Sequence, residues 1–353
     1  MSVTSISTQD ALHNLLEQCR YFPPSVNEST MLYHYTKLMM ILQRKELAGI
    51  EKDADLIANA YTLSMRFTAV SRSILKNVGE QDMENYRLVD HAIEQQLTGN
   101  MYIFAKQWGL SVKALYYHKV RNYKKAVDVS LECIILNEYL IREGVSSLLF
   151  RAAEQVKNIV RVFFKSGDYE SGATLAYQLL NYLFNGEPGS LYGTIFKDRS
   201  VWDQIPYVRE GYAYDCFKAM VYQMIHFEKT TANTSSDVFS KLFDGLSLDI
   251  TTPDRQIIGD WLDMKRCYRQ GRSDEFLCSF ADFMSEPLPT SYEILKIDLF
   301  SDIIHLVDAS RHPEKDGMLQ ELNQYIESRL NASYHLGKDI SAKNLVSLDP
   351  NPL

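Results

Sequence analysis

Residues Met101 to Phe184 carry two helix–turn–helix patterns laid end to end, and no other feature limits the fold as strongly. In the first, Leu110, Ala114 and Tyr117 recur at the three-and-four spacing of one helix face. After a turn at Arg121–Tyr123, residues Ala126, Val129, Cys133, Leu136 and Leu140 do the same, and Gly144 stands where a helix needs a left-handed residue to stop. In the second pattern Leu149, Ala153, Val156, Val160 and Phe163 share a face. A turn over Ser166–Gly172 follows, and the return arm carries Leu175, Leu179 and Leu183. Neither arm can bury its apolar stripe alone, so each must fold back on a neighbour. A weaker third copy runs from Trp261 to Pro289 with its turn at Gly271.

The run Gly167-Asp168-Tyr169, followed by small residues at Gly172, Ala173 and Ala176, resembles the turn and second helix of a tetratricopeptide (TPR) repeat. The first copy keeps Tyr123 and Ala126 of that pattern but has Arg121 at the glycine position. The third keeps Gly271 but places Phe276 where a small residue allows close helix contact. Tyr123 and Tyr169 lie 46 residues apart, against a usual repeat of about 34. The resemblance implies an all-α fold of stacked antiparallel helix hairpins forming a right-handed TPR-like α-solenoid. In such a fold the first helices of successive pairs line a concave groove. Carried onto this chain, the groove positions are Trp108, His118 and Lys119 in the first copy. In the second they are Lys157, Arg161, Phe164 and Lys165, and in the third Trp261, Lys265, Tyr268 and Arg269.

The residues themselves add to this. Lys157, Arg161 and Lys165 fall at i, i+4 and i+8 and so project from one helix face, and Lys265 and Arg269 repeat the spacing. The chain of 353 residues has a formal net charge of −8, which argues against general affinity for nucleic acid or an anionic membrane. Yet residues 101–170 hold 11 Lys/Arg against 7 Asp/Glu, a local balance of +4. Cations on one wall with aromatics between them suit a protein or peptide partner of acidic or C-terminal carboxylate character. The expected function is therefore a non-catalytic scaffold or sensor, without a cofactor, that receives such a segment.

The remaining chain reads as more helices. One is expected over Asp10–Cys19, ended by Pro23-Pro24, and another from Met31 to Gly49. A third runs from Asp53 to Gly79 and a fourth from Glu84 to Gly99. These N-terminal hairpins, residues 1–99, are expected to cap the repeat domain of residues 100–335. Residues 185–206, rich in glycine and proline, read as an inserted loop. The arms 207–227 and 235–246 form a further pair. The arms 291–310 and 315–330 close the domain, and 336–353 is a tail without periodicity. Five cysteines without a C-x-x-C pair fit a reducing compartment. With no secretory signal and no apolar run of about 18 residues, the cytoplasm is the expected location.

Chemistry-bearing motifs are sparse. Asp90, His91 and Glu94 share a helix face, but as a single His-x-x-Glu without a second copy they read as a solvated polar face. There is no phosphate-binding glycine loop and no nucleophile elbow. Two alternatives belong to other classes. One is a helical enzyme with a pocket under the 185–206 loop, for which the spacing of Arg329 and His335, superficially like that of HEPN-type helical ribonucleases, is one version. The other is self-association as a homodimer through tyrosine-rich faces, since the chain has 22 Tyr and 16 Phe.

Overall fold

A computed structural model describes residues 21–25, 31–187, 189–203, 206–230, 237–309 and 315–329, with single positions between 12 and 18. Every α-helix and turn among them belongs to an all-α fold. The helices are α1 (Met31–Ile50), α2 (Ala54–Lys76), α3 (Glu80–Gln96), α4 (Gly99–Lys119), α5 (Tyr123–Arg142), α6 (Leu149–Ser166) and α7 (Tyr169–Asn185). They continue as α8 (Arg199–Asp203), α9 (Pro206–Thr230), α10 (Pro253–Arg269), α11 (Ser273–Ser285), α12 (Glu293–Ala309) and α13 (Lys315–Arg329). The expected N-terminal helix lies largely outside the described residues, as do the tail and His335.

Two units separate. One comprises residues 31–216 and 237–247; among the described residues the other holds 217–230, 248–309 and 315–329 with the N-terminal segment around Phe22. The helices expected as an N-terminal cap thus share a unit with α4–α7 from residue 31 onward. In the first unit α2 packs on α3 and α4, and α4, α5, α6 and α7 each pack on the next. The predicted stripe is the core: Leu110, Ala114, Val129 and Cys133 are buried together, with Tyr117 and Leu136 against them. In the second unit α10 packs on α11 and α12, and α12 on α13. There Phe280 meets Phe300 edge-on at 5.2 Å and Phe22 at 6.4 Å.

Local chemistry sets the helix ends. Asp53 caps α2 by accepting the Asp55 and Leu56 N–H groups at 2.9 and 3.0 Å. Thr252 accepts the Arg255 N–H at 3.2 Å ahead of Pro253, which suits the first turn of α10. The start of α6 has no cap of its own. Glu46 of α1 supplies one, accepting Ser146 Oγ at 2.7 Å and the Ser147 N–H at 3.0 Å. Three glycines differ from expectation. Gly49 lies within α1, Gly79 precedes the start of α3 while α2 closes at Asn77, and Gly99 opens α4 behind Thr98 instead of closing α3, whose C-cap is Leu97. The arm expected over 235–246 is a short π-helical segment, Ser240–Asp244.

The three sequence copies close with one turn geometry. Arg121, Gly167 and Gly271 all have left-handed backbone, with φ of 60°, 87° and 71°. The next residue donates its N–H to the carbonyl five residues back: Asn122 to Tyr117 at 2.8 Å, Asp168 to Phe163 at 3.0 Å and Arg272 to Cys267 at 3.0 Å. Arginine therefore bears at 121 a conformation that glycine takes freely. Gly172 has the other special role. A Cβ there would lie 2.9 Å from the Phe164 ring, so its missing side chain lets α7 approach α6.

Candidate functional site

The expected site residues sort by depth. Lys157 is 2% exposed and Lys265 1%, Trp261 is fully buried, and Phe164 is 7% exposed. Their helical spacing was read as an open cationic wall, and this is corrected by what the next helix brings. Lys157 Nζ lies 3.0 Å from Glu154 Oε2 and 2.8 Å from Asp215 Oδ2, beneath the Tyr212 ring. Tyr212 in turn donates its hydroxyl to Glu154 Oε2 at 3.0 Å. Burial opposes the charge on Lys157, but Asp215 and Glu154 outweigh it and hold the ammonium above the usual lysine range. The Cys216 thiol beside this group is pushed up to about 12, chiefly by burial.

Lys265 repeats the device in the second unit. Its Nζ sits 2.9 Å from Asp298 Oδ2 and 2.7 Å from Asp302 Oδ2, and Trp261 Nε1 donates to Asp298 Oδ2 at 3.2 Å. Burial raises the Asp302 and Glu228 carboxyls against the pull of Lys265, whose own affinity for its proton is raised by Asp298 and Asp302 despite burial. These lysines are internal clamps, so they face carboxylates of this chain and not a ligand.

Three further site residues occupy one repeat position, three before the left-handed turn residue: His118, Phe164 and Tyr268. Each turns its ring onto its own hairpin. His118 lies 6.1 Å from Tyr123, Phe164 lies 6.0 Å from Tyr169, and Tyr268 lies 5.3 Å from Phe276. Phe276, at the position of Gly172, is fully buried and supplies by ring contact what the small residue supplies by close approach. Lys119, Lys165 and Arg269 also share one position, in the last turn of each first helix, where a cation complements the helix dipole. Lys119 Nζ reaches the Leu75 carbonyl at 3.4 Å, and Arg269 pairs with Glu228 at 3.2 Å. Burial together with the charge of Lys119 lowers the pKa of Lys165.

Trp108 on α4 and Arg161 on α6 are half-exposed, as are His118 and Lys119, and Lys165 is exposed. Arg151 of α6, which the sequence reading missed, stacks its guanidinium 4.1 Å from the Trp108 ring centre. Arg151 stands 43 residues after Trp108, off the 46-residue repeat, so position in the repeat did not point to it. Asp215, Asp298 and Asp302 were missed as well. Asp298 and Asp302 stand at i, i+4, the acidic complement of Lys265 and Arg269 at the same spacing.

Some helices that are not neighbours in the chain keep a common direction. Phe150 meets Tyr212 and Lys157 meets Asp215, so residue numbers rise together along α6 and α9. The same holds for Trp108–Arg151 with Ser111–Gln155 on α4 and α6, and for Trp261–Asp298 with Lys265–Asp302 on α10 and α12.

The described residues of the 185–206 stretch pack on the end of α7 and the start of α9. Leu191, Ile195, Phe196 and Trp202 are buried, Trp202 donates Nε1 to the Tyr182 carbonyl at 2.6 Å, and Arg209 caps its ring at 3.5 Å. The described apolar side chains of the loop therefore point into the protein. A surface dent of about 280 Å³ between α2 and α3, lined by Ala69, Val70, Ser73, Asn85, Leu88 and Val89, contains no ionisable group. Asp90 and Glu94 are bridged by Lys106 Nζ at 2.7 and 3.3 Å. Among the described residues no cluster of His, Cys, Asp or Glu could hold a metal ion, and no helix is long and apolar enough to cross a membrane. Set against protein-family models, curated proteins and solved structures, the chain matches none.

Proposed function

We propose that the chain is a TPR-like stack of antiparallel helix hairpins, a right-handed solenoid, and that it works as a non-catalytic module binding a protein or peptide segment. One observation carries this reading: α4 runs in the same direction as α6, and α10 as α12, while α4, α6 and α10 each turn back through the same left-handed corner. Helices arranged so present a continuous row of first-helix side chains, the surface on which repeat proteins take extended partners. Trp108 with Arg151 forms the aromatic anchor, and Arg161 with Lys165 supplies positive charge for an acidic segment or a C-terminal carboxylate. Each charge-assisted contact contributes roughly 1.5–3 kcal/mol against an association cost of about 4–15 kcal/mol. Reversible docking of modest affinity is the expected outcome.

A fluorescently labelled peptide library with acidic and neutral members, each with free and amidated C-termini, tests this by equilibrium binding. Acidic or free-carboxylate peptides should bind, and Arg161→Glu with Lys165→Glu should weaken them at least tenfold. Lys157 must be left intact, since reversing it places a third carboxylate beside Glu154 and Asp215 and unfolds the site. Absence of binding across the library, or a reversal without effect, overturns the proposal.

A further inference from the structure

The first unit holds another polar centre, enclosed between α4, α5 and α6 and separate from the lysine clamp. Ser111 Oγ receives Arg151 Nη2 at 3.2 Å and Gln155 Nε2 at 3.0 Å, and lies 3.5 Å from Cys133 Sγ. Cys133 donates to the Gln107 carbonyl at 3.2 Å, and Asn137 Nδ2 donates to the Cys133 carbonyl at 2.8 Å. Gln107 stands one turn before Ser111 on α4, and Asn137 one turn after Cys133 on α5. Because α5 runs back along α4, the two amides come to the same level. Gln107, Asn137 and Gln155 are each 0% exposed.

Hydrogen bonding stops short here. Gln107 Nε2 and Oε1, Asn137 Oδ1, Gln155 Oε1, Arg151 Nε and Trp108 Nε1 are enclosed, and none has a partner among the described residues. Buried polar atoms are paired almost everywhere in folded proteins, with protein or with ordered water. The orphaned set is balanced: Gln107, Arg151 and Trp108 offer N–H groups, while Gln107, Asn137 and Gln155 offer carbonyl oxygens. Trp108 and Arg151 are half-exposed, so the polar path leads inward from their stacked pair.

The geometry points to a guest site at Gln107, Asn137 and Gln155 for a neutral group that donates and accepts hydrogen bonds at once: a carboxamide, or ordered water in its absence. A carboxylate would meet three carbonyl oxygens with nothing to donate, and an ammonium would meet three N–H groups with nothing to accept. A carboxamide or water offers both. The inference stands on hydrogen-bond geometry: it shares Trp108 and Arg151 with the proposed anchor, but the guest site is the three amides, and Arg161 and Lys165 take no part in it.

Crystals of the full chain, untreated and soaked separately in acetamide and sodium acetate, test it. Untreated crystals should show water within about 2.7–3.2 Å of at least two of the three amides. Acetamide should replace that water, acetate should not, and Gln107→Met, which keeps the volume, should abolish acetamide occupancy. A dry centre in untreated and acetamide-soaked crystals overturns the inference, as does acetate bound in preference to acetamide. So does acetamide that persists unchanged in Gln107→Met.

Discussion

Replacing Lys296 by methionine should make the protein more stable, contrary to the usual result at a buried position. Lys296 lies on α12, is 0% exposed, and its Nζ has no hydrogen-bond partner among the described residues. Burial lowers its pKa from 10.5 to about 8, with Glu293 one turn earlier pulling only partly the other way. Each tenfold loss of proton affinity is worth about 1.4 kcal/mol, so the charged amine costs the folded state roughly 3 kcal/mol at neutral pH. Since the folded pKa lies below the unfolded one, the unfolded chain holds the extra proton between about pH 8 and 10.5. Wild-type stability therefore rises with pH through that window. Methionine has no proton to lose and fits a similar volume. The gap between variant and wild type should then narrow from roughly 3 kcal/mol at pH 7 to the smaller cost of an unpaired neutral amine near pH 10. Urea unfolding of both chains at several values between pH 7 and 10, followed by far-ultraviolet circular dichroism, reads this difference directly. A variant no more stable at pH 7, or a gap that stays constant with pH, would refute the reasoning, because either means the amine is paired.

Two more substitutions probe the same physics. Lys265→Met should destabilise by about 3–5 kcal/mol in urea unfolding, since it strands Asp298 and Asp302 without their cation. The loss should be greater at pH 8 than at pH 5, where Asp302, raised to about 7 chiefly by burial, holds a proton; an effect under 1 kcal/mol at both would count against the clamp. Arg121→Gly should raise stability by roughly 0.5–1 kcal/mol by relieving a left-handed φ of 60°, and a lowered thermal midpoint would show that the arginine side chain contributes more than its backbone strain costs.

Helix faces were legible in the sequence because burial on a helix has a period. Leu110, Ala114, Val129 and Cys133 announce themselves at three-and-four spacing and form the core they predict. Turns were legible where glycine marked them, at Gly167 and Gly271. The turn at Arg121 is legible only as the break between two amphipathic arms, since arginine gives no hint of left-handed backbone. The depth of charged residues was not legible. Lys157, Arg161 and Lys165 share a face, but only its Lys157 end is interior, where α9 packs on it with Asp215; Arg161 stays half-exposed and Lys165 exposed. α12 held the missing clue: Glu293 to Phe300 is buried without interruption, so Lys296, Asp298 and Asp302 had to be interior charges in need of partners.

Those interior charges explain why adjoining first helices settle in one register. Apolar stripes at helical spacing tolerate a slip of one turn, about 5.4 Å, because leucine and phenylalanine re-pack against similar neighbours. The clamps do not tolerate it. Trp261 and Lys265, one turn apart on α10, meet Asp298 and Asp302, one turn apart on α12. Sliding either helix by a turn leaves one buried charge facing an apolar side chain, at a cost of several kcal/mol per unpaired ion. Lys157 imposes the same condition on α6 and α9 through Glu154, Tyr212 and Asp215. Desolvation takes back much of what such a pair gains in Coulomb energy, so net stability is a weak reason for its presence. Fixing the register of adjoining helices is a stronger one, because a buried charge tolerates far fewer neighbours than an apolar side chain does.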